Sequence, residues 1–141
     1  MFKKLFKKKN IDGTDDKIIL IAALLIHAAK IDENYTENEK NIIKKALIEL
    51  DNLNNYKIDE IMKLAEKKEK ESNQIVEFTK EIKKQAIEFR LKIIEILWKI
   101  VYSDKTIDSY ESNLIRRVCG LLYVSDKDSG EIKLKVINST K

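Results

Sequence analysis

The sequence contains no proline and only three glycines, one cysteine, one histidine and one tryptophan in 141 residues. Few residues therefore interrupt a helix, and the abundant Lys, Glu, Ile and Leu lose little side-chain freedom on one. A lone cysteine, Cys119, cannot form an internal disulfide, which favours a reducing, cytoplasmic compartment. The composition predicts a single all-α domain, because the length is typical of one core.

Long apolar runs are also absent. The longest run, Ile18–Ile26, has nine residues, far fewer than the ~20 that a membrane-spanning helix needs. No apolar signal-peptide core follows the basic N-terminus, because Asn10–Lys17 is polar. These features predict a soluble, unprocessed protein.

The net charge of +4 is concentrated at one end of the chain. Five lysines precede the first acidic residue, and removing them from the 28 basic residues leaves 23 against 24 acidic residues, a net charge of −1. A nucleic-acid-binding domain is expected to carry its basic face on the fold itself. The distribution therefore predicts no nucleic-acid partner.

A basic N-terminal tip, residues 1–13, precedes the predicted helical domain at residues 14–141. Its apolar side chains fall on one side of a helical turn and are surrounded by lysines, as in short anchors that bind anionic lipid. The tip would then attach the domain peripherally to the inner face of a membrane. A disordered basic start is the alternative, because so short a segment is a marginal helix in water. The candidate membrane-binding residues are Phe2, Lys3, Lys4, Leu5, Phe6, Lys7, Lys8 and Lys9.

Apolar residues at helical spacing predict about seven helices joined by short connections. The third helix is expected to end in a solvent-facing charge run, Glu66–Glu71. The fifth is apolar around most of its circumference and should lie at the centre of the domain. The predicted helices are residues 14–30, 36–50, about 57–71, a short one capped by Ser72, 85–102, 108–122 and a last one from Ser125 or Asp126.

Sliding the chain by 72 residues superimposes the first two predicted helices on the fifth and sixth without a gap. The two halves, about residues 14–50 and 86–122, each contain an apolar helix, an acidic loop and a second apolar helix. Asp32 then coincides with Asp104, and Glu39 coincides with Glu111. The match predicts an internal duplication, with two helix pairs related by a pseudo-two-fold axis.

The two acidic loops allow two interpretations. Helix capping explains both glutamates, because Thr36-x-x-Glu39 and Asp108-x-x-Glu111 have the pattern of capping boxes. Capping does not explain the aspartate that stands four residues before each cap. The other interpretation is a set of oxygen ligands for a hard divalent cation such as calcium or magnesium, without EF-hand spacing. Its ligands would be Asp32, Glu39, Asp104 and Glu111.

Catalytic arrangements are missing from the sequence. His27 lies on an aliphatic helix without a second His or a Cys nearby, so a packed histidine is expected rather than a catalytic base. Trp98 is expected in the core, and Cys119 is expected as a buried, inert thiol. No Gly-rich phosphate loop and no Ser–His or Cys–His pair is evident. The sequence predicts a protein that is not an enzyme and has no small-molecule substrate.

Two segments, LIHAAKIDENYTENE and LWKIVYSDKTIDSYESNLIRRVCGLLYVSD, resemble the TerB-like domain family, named for tellurite resistance protein B. The resemblance covers about Asp16–Lys135. In that family each half carries an apolar helix, an Asp-Gly turn and a Glu seven residues after the Asp. This chain departs from the pattern at the glycine positions, which are occupied by Glu33 and Lys105.

The resemblance implies an all-α fold of about seven helices and a non-enzymatic binding role in tellurite-type and other stress responses, often near membranes. It also implies metal binding at the acidic positions listed above, so that the loops would bind a divalent cation or a basic partner surface. The alternative is a protein-interaction module of a membrane-associated chaperone or stress assembly, in which the loops are only helix caps. Both interpretations imply a protein partner.

Overall fold

The computed structural model describes the backbone of residues 3–31, 33, 35–51, 55–72 and 74–139, and the side chains of residues 16–31, 33, 35–50, 57–72 and 74–139. Within these ranges every regular element is helical, which confirms the all-α prediction. The elements are α1 (Lys3–Ala29), α2 (Glu37–Asp51), α3 (Asn55–Glu71), α4 (Ile75–Thr79), a 3₁₀ helix (Ile82–Lys84), α5 (Ile87–Val101), α6 (Ser109–Leu122) and α7 (Asp126–Ser139).

Helices α1 and α5 form the centre of the domain. Helix α1 packs against α2, α3, α4 and α5, and α5 also packs against α6 and α7. Every residue of Leu20–Ile26 is buried, as are seven of the nine residues of α5 from Ile93 to Val101, which confirms the predicted central position of α5. Trp98 is buried as expected, and its indole Nε1–H donates to Ser129 Oγ of α7 at 3.1 Å. This bond satisfies the one polar atom of a side chain that otherwise packs as a hydrophobe.

Two predicted helix starts are wrong. Helix α1 begins at Lys3, before the expected start at Thr14, because the residues between them include no proline and tolerate a helix. Ser72 does not cap α4, because its backbone N–H donates to Lys68 O and continues the hydrogen bonding of α3. The N-cap of α4 is Gln74, which makes no side-chain capping bond.

The candidate membrane-binding residues of the tip, Phe2 and Lys3 to Lys9, fall outside the side chains that the structure describes. Among the described residues, no helix is both long enough and apolar enough to cross a bilayer.

Cys119 is buried on α6, as expected. Burial raises the pKa of its thiol, and this effect exceeds the opposing influence of a hydrogen bond with Ser129 of α7. A thiol with a raised pKa forms little thiolate at neutral pH and is therefore a poor nucleophile.

Candidate functional site in the acidic loops

The loop between α5 and α6 contains a left-handed turn at Lys105, where φ is 70°. The Lys105 N–H donates to Tyr102 O at 2.9 Å and closes the turn. Just before it, the exposed Asp104 accepts two hydrogen bonds at Oδ1, from Thr106 N–H and from Thr106 Oγ1–H, both at 3.0 Å. One carboxylate oxygen of Asp104, a predicted cation ligand, therefore already accepts hydrogen bonds within the loop.

The loop between α1 and α2 repeats this backbone geometry. Glu33, which stands 72 residues before Lys105, has a φ of 64°, and its N–H donates to Lys30 O at 2.9 Å. Both residues occupy the glycine position of the family pattern. The tight turn therefore forms without glycine, although a residue with a Cβ strains this conformation.

Capping boxes close both loops. Thr36 N–H donates to Glu39 Oε1 at 2.9 Å, and Glu39 N–H donates back to Thr36 Oγ1 at 3.1 Å. At the other loop, Asp108 N–H donates to Glu111 Oε1 at 3.0 Å, and Glu111 N–H donates to Asp108 Oδ1 at 2.8 Å. Reciprocal bonds of this kind satisfy amides that the first turn of a helix cannot pair.

The four predicted cation ligands occupy different surroundings. Glu39 and Glu111 are only 6% and 5% exposed and hold the caps, whereas Asp104 is exposed. Asp32 lies outside the described residues. In the part of the chain that is described, no group of three or more His, Cys, Asp or Glu residues is arranged to hold a metal ion. Because Asp32 is not among these residues, the cation site stays a prediction.

Tyr35 attaches the first acidic loop to α3. Its hydroxyl donates to Glu66 Oε2 at 3.3 Å, and Lys40 Nζ lies 3.8 Å from the same oxygen and 5.2 Å from the centre of the Tyr35 ring. Burial raises the pKa of the Tyr35 hydroxyl well above its ordinary value, and the charge of Glu66 raises it further. The hydroxyl therefore stays a proton donor, and the loop is held against α3 across the physiological pH range.

A buried carboxylate that sequence reasoning missed lies at the end of α3. Glu69 was expected in a solvated charge run, but it is only 6% exposed. Its Oε2 lies 3.1 Å from His27 Nδ1, and its Oε1 accepts from Lys30 Nζ at 2.8 Å. His27 also packs against Phe78, with the ring centres 6.1 Å apart. This cluster joins α1 to α3.

The burial of Glu69 could have been predicted from its spacing in the sequence. It follows Ala65 by four residues, and Ala65 in turn follows the buried Ile61 by four, so helical periodicity places all three on one face of α3. His27 of α1 and Lys30, the residue after the end of α1, supply the hydrogen-bond donors that a buried carboxylate needs. The packed position expected for His27 is correct, and its environment is polar on one side and aromatic on the other.

No curated protein and no solved structure matches the chain. The family model described as tellurite resistance protein TerB matches residues 19–134, which is most of the chain and nearly the range covered by the predicted resemblance. The two left-handed turns and the two capping boxes lie within this range. The chain, an all-α protein with an acidic loop after α1 and another after α5, therefore belongs to the TerB family.

Proposed function

We propose that this chain is a non-enzymatic, cytoplasmic binding domain whose acidic loops bind a divalent cation or a basic surface of a protein partner. The observation that carries the proposal is the shared geometry of the two loops, each with a left-handed turn followed by a capping box. Fixed backbones of this kind hold nearby carboxylates in place before a ligand arrives, which reduces the entropy lost on binding.

The two kinds of acidic residue would have different roles at such a site. Glu39 and Glu111, buried in the caps, would hold the loop backbone, whereas the exposed Asp104 faces solvent and would meet the ligand. Because the acidic side chains offer only oxygen atoms, calcium or magnesium suits the loops better than zinc. The involvement of Asp32 follows from its position in the repeat and the family pattern.

Thermal unfolding with and without ions tests this proposal. A cation at about 100 times its dissociation constant adds about 2.7 kcal/mol to the free energy of unfolding, so one of calcium, magnesium, manganese or zinc should raise the midpoint by several degrees. Asp32→Asn/Asp104→Asn should abolish the rise. The charge-matched control Glu60→Gln/Glu131→Gln, at two exposed positions outside the loops, should retain it. No rise with any ion at millimolar concentration would rule out the cation form of the proposal.

The capping geometry favours a second candidate, a protein-interaction module in which the loops serve only as caps. Each glutamate already accepts the N-cap amide at Oε1, so at least one of its oxygens is used for structure. Such a module would form part of a stress or chaperone assembly at a membrane. It predicts that the Asp32→Asn/Asp104→Asn variant binds its protein partner as tightly as the unaltered chain, whereas a basic partner held by the loops would be lost.

The N-terminal tip is a proposed membrane attachment. Each lysine close to an anionic surface contributes about 1 kcal/mol, so the five lysines of the tip would hold the domain weakly and reversibly. Deleting residues 1–9 should therefore abolish co-sedimentation with vesicles that contain anionic lipid. Equal sedimentation of the full and shortened chains would contradict an anchoring role.

A further inference from the structure

A groove of about 380 Å³ lies between α2 and α5 and opens beside the second acidic loop. Its apolar part is formed by Ile42 and Ala46 of α2 and by Ile96 of α5. Small-molecule sites in proteins start at about this volume and combine an apolar lining with a few polar groups. None of the four predicted cation ligands lines the groove, although Asp104 lies between two of its lining residues, Ser103 and Lys105.

Positive charge surrounds the groove. Its lining includes Lys45 of α2, Lys92 and Lys99 of α5, and Lys105 of the following loop. Glu49 also lines it, Lys99 Nζ lies 3.4 Å from Glu95 Oε2, and Asp104 directly precedes Lys105, so the four lysines outnumber three nearby carboxylates. Without the five N-terminal lysines the chain carries a net charge of −1, so this groove collects lysines on a chain whose charges otherwise nearly balance.

The backbone conformation of Lys105 also supports a role for positive charge at the groove. Glycine would relax its left-handed backbone, yet the position carries a lysine that lines the groove. Glu33 has the same backbone conformation in the other loop but is not part of the groove. The two positions therefore have the same strain and different surroundings, which makes them a matched pair for experiment.

We propose that this groove binds a small organic anion with an acidic head and a short apolar chain, such as a medium-chain carboxylate. The lysines would meet the head, and Ile42, Ala46 and Ile96 would cover the chain. An inorganic anion would leave this apolar surface uncovered, and a polynucleotide requires a basic stripe longer than a groove of this size.

Titration of the full-length protein with butyrate, hexanoate and octanoate, followed by backbone amide NMR, tests the proposal. Shifts should concentrate at residues 42, 46, 96 and 105, and affinity should rise by up to about fourfold per added methylene if the chain is buried. Lys45→Gln/Lys92→Gln should weaken octanoate binding by about three- to tenfold, and salt should weaken it in the unaltered protein. The control Lys63→Gln/Lys83→Gln, at exposed positions outside the groove, should bind as the unaltered protein does.

Substitutions at the two left-handed residues, Lys105 and Glu33, distinguish an effect on ligand binding from an effect on stability. Lys105→Gly and Glu33→Gly should each raise the unfolding midpoint by about 1–3 °C, because relief of the strained backbone exceeds the extra chain entropy of glycine. Lys105→Gly alone should weaken octanoate binding. A loss of binding in a variant of higher stability cannot result from unfolding.

Several results would overturn the proposal. Equal affinity for inorganic phosphate and octanoate would show that the apolar part of the groove is not used. Shifts elsewhere on the surface, or unchanged binding in Lys45→Gln/Lys92→Gln, would show that the lysines are not the binding groups. Absence of octanoate binding together with lysine-dependent binding of an acidic peptide or of anionic vesicles would assign the groove to a macromolecule instead.

Discussion

Replacing Glu69 by alanine is expected to lower the free energy of unfolding by about 2–3 kcal/mol. Removing one member of a buried ionic group costs about 3–5 kcal/mol when the remaining charge stays buried. Here the Lys30 side chain is 35% exposed and can turn its ammonium group to water, which brings the expected loss below that range. His27, at 17% exposed, loses its hydrogen-bond partner and is less able to compensate. Denaturant unfolding measures the difference directly.

The Glu69 cluster also predicts a dependence on pH. Burial by itself raises the pKa of the Glu69 carboxyl, but hydrogen bonds from Lys30 and His27 outweigh burial and leave the pKa below its ordinary value of 4.5. A depressed pKa stabilises the fold above the unfolded-state pKa, and this contribution is lost as the pH falls through the folded-state pKa. The stability difference between the unaltered protein and Glu69→Gln should therefore shrink between about pH 5 and pH 3.

Glu71→Gln is the matched control, because Glu71 lies on the same turn of α3 but is 60% exposed and pairs with Lys67 only at 4.0 Å. An exposed pair of this kind contributes about 0–1 kcal/mol, so Glu71→Gln should change the stability little. If both variants lost the same free energy, or if the Glu69→Gln difference stayed constant on acidification, the buried cluster would not be a main link between α1 and α3.

Removing both capping glutamates, Glu39→Ala/Glu111→Ala, should lower the free energy of unfolding by about 2–4 kcal/mol. Each substitution removes the acceptor for an N-cap amide and leaves space where a buried side chain packed, which costs about 1–2 kcal/mol per site. The two losses should add if the helix ends unfold independently. Thermal or denaturant unfolding of the single and double variants measures both quantities.

Glutamine at the same positions separates capping from charge. The amide oxygen of Glu39→Gln or Glu111→Gln can accept the N-cap N–H as the carboxylate does, so these variants should lose much less stability than the alanine variants. If ion-dependent stabilisation survives in Glu39→Gln/Glu111→Gln, the glutamates act as caps and the aspartates bind the cation. Equal destabilisation by alanine and glutamine would contradict the capping role.

Local patterns in the sequence predicted most of the fold. The starts of α2 and α6 were predictable because a capping box is set by residues three apart, and the central position of α5 followed from its apolar circumference. The start of α1 was not predictable in this way, because Thr14 and the acidic residues after it also tolerate a helix interior. Local capping preference therefore did not decide where this helix begins.

The features that depend on distant parts of the chain were harder to predict. The buried Glu69 depends on His27 at the end of α1 and on Lys30 just after it, across a separation of 39 to 42 residues. The groove between α2 and α5 likewise combines residues from two helices and a loop. The acidic loops were found from their spacing, but which of their carboxylates are buried depends on the packing of α2 and α6.

Cys119 allows the opening of the structure around α6 to be measured as a reaction rate. It is the only thiol in the chain, is 1% exposed and has a raised pKa, so a thiol reagent reacts with it only after an opening of the structure exposes its side chain. The rate of this reaction therefore reports how often the structure around Cys119 opens. Reaction much faster than global unfolding would mean that the packing around α6 opens locally while the rest of the domain stays folded.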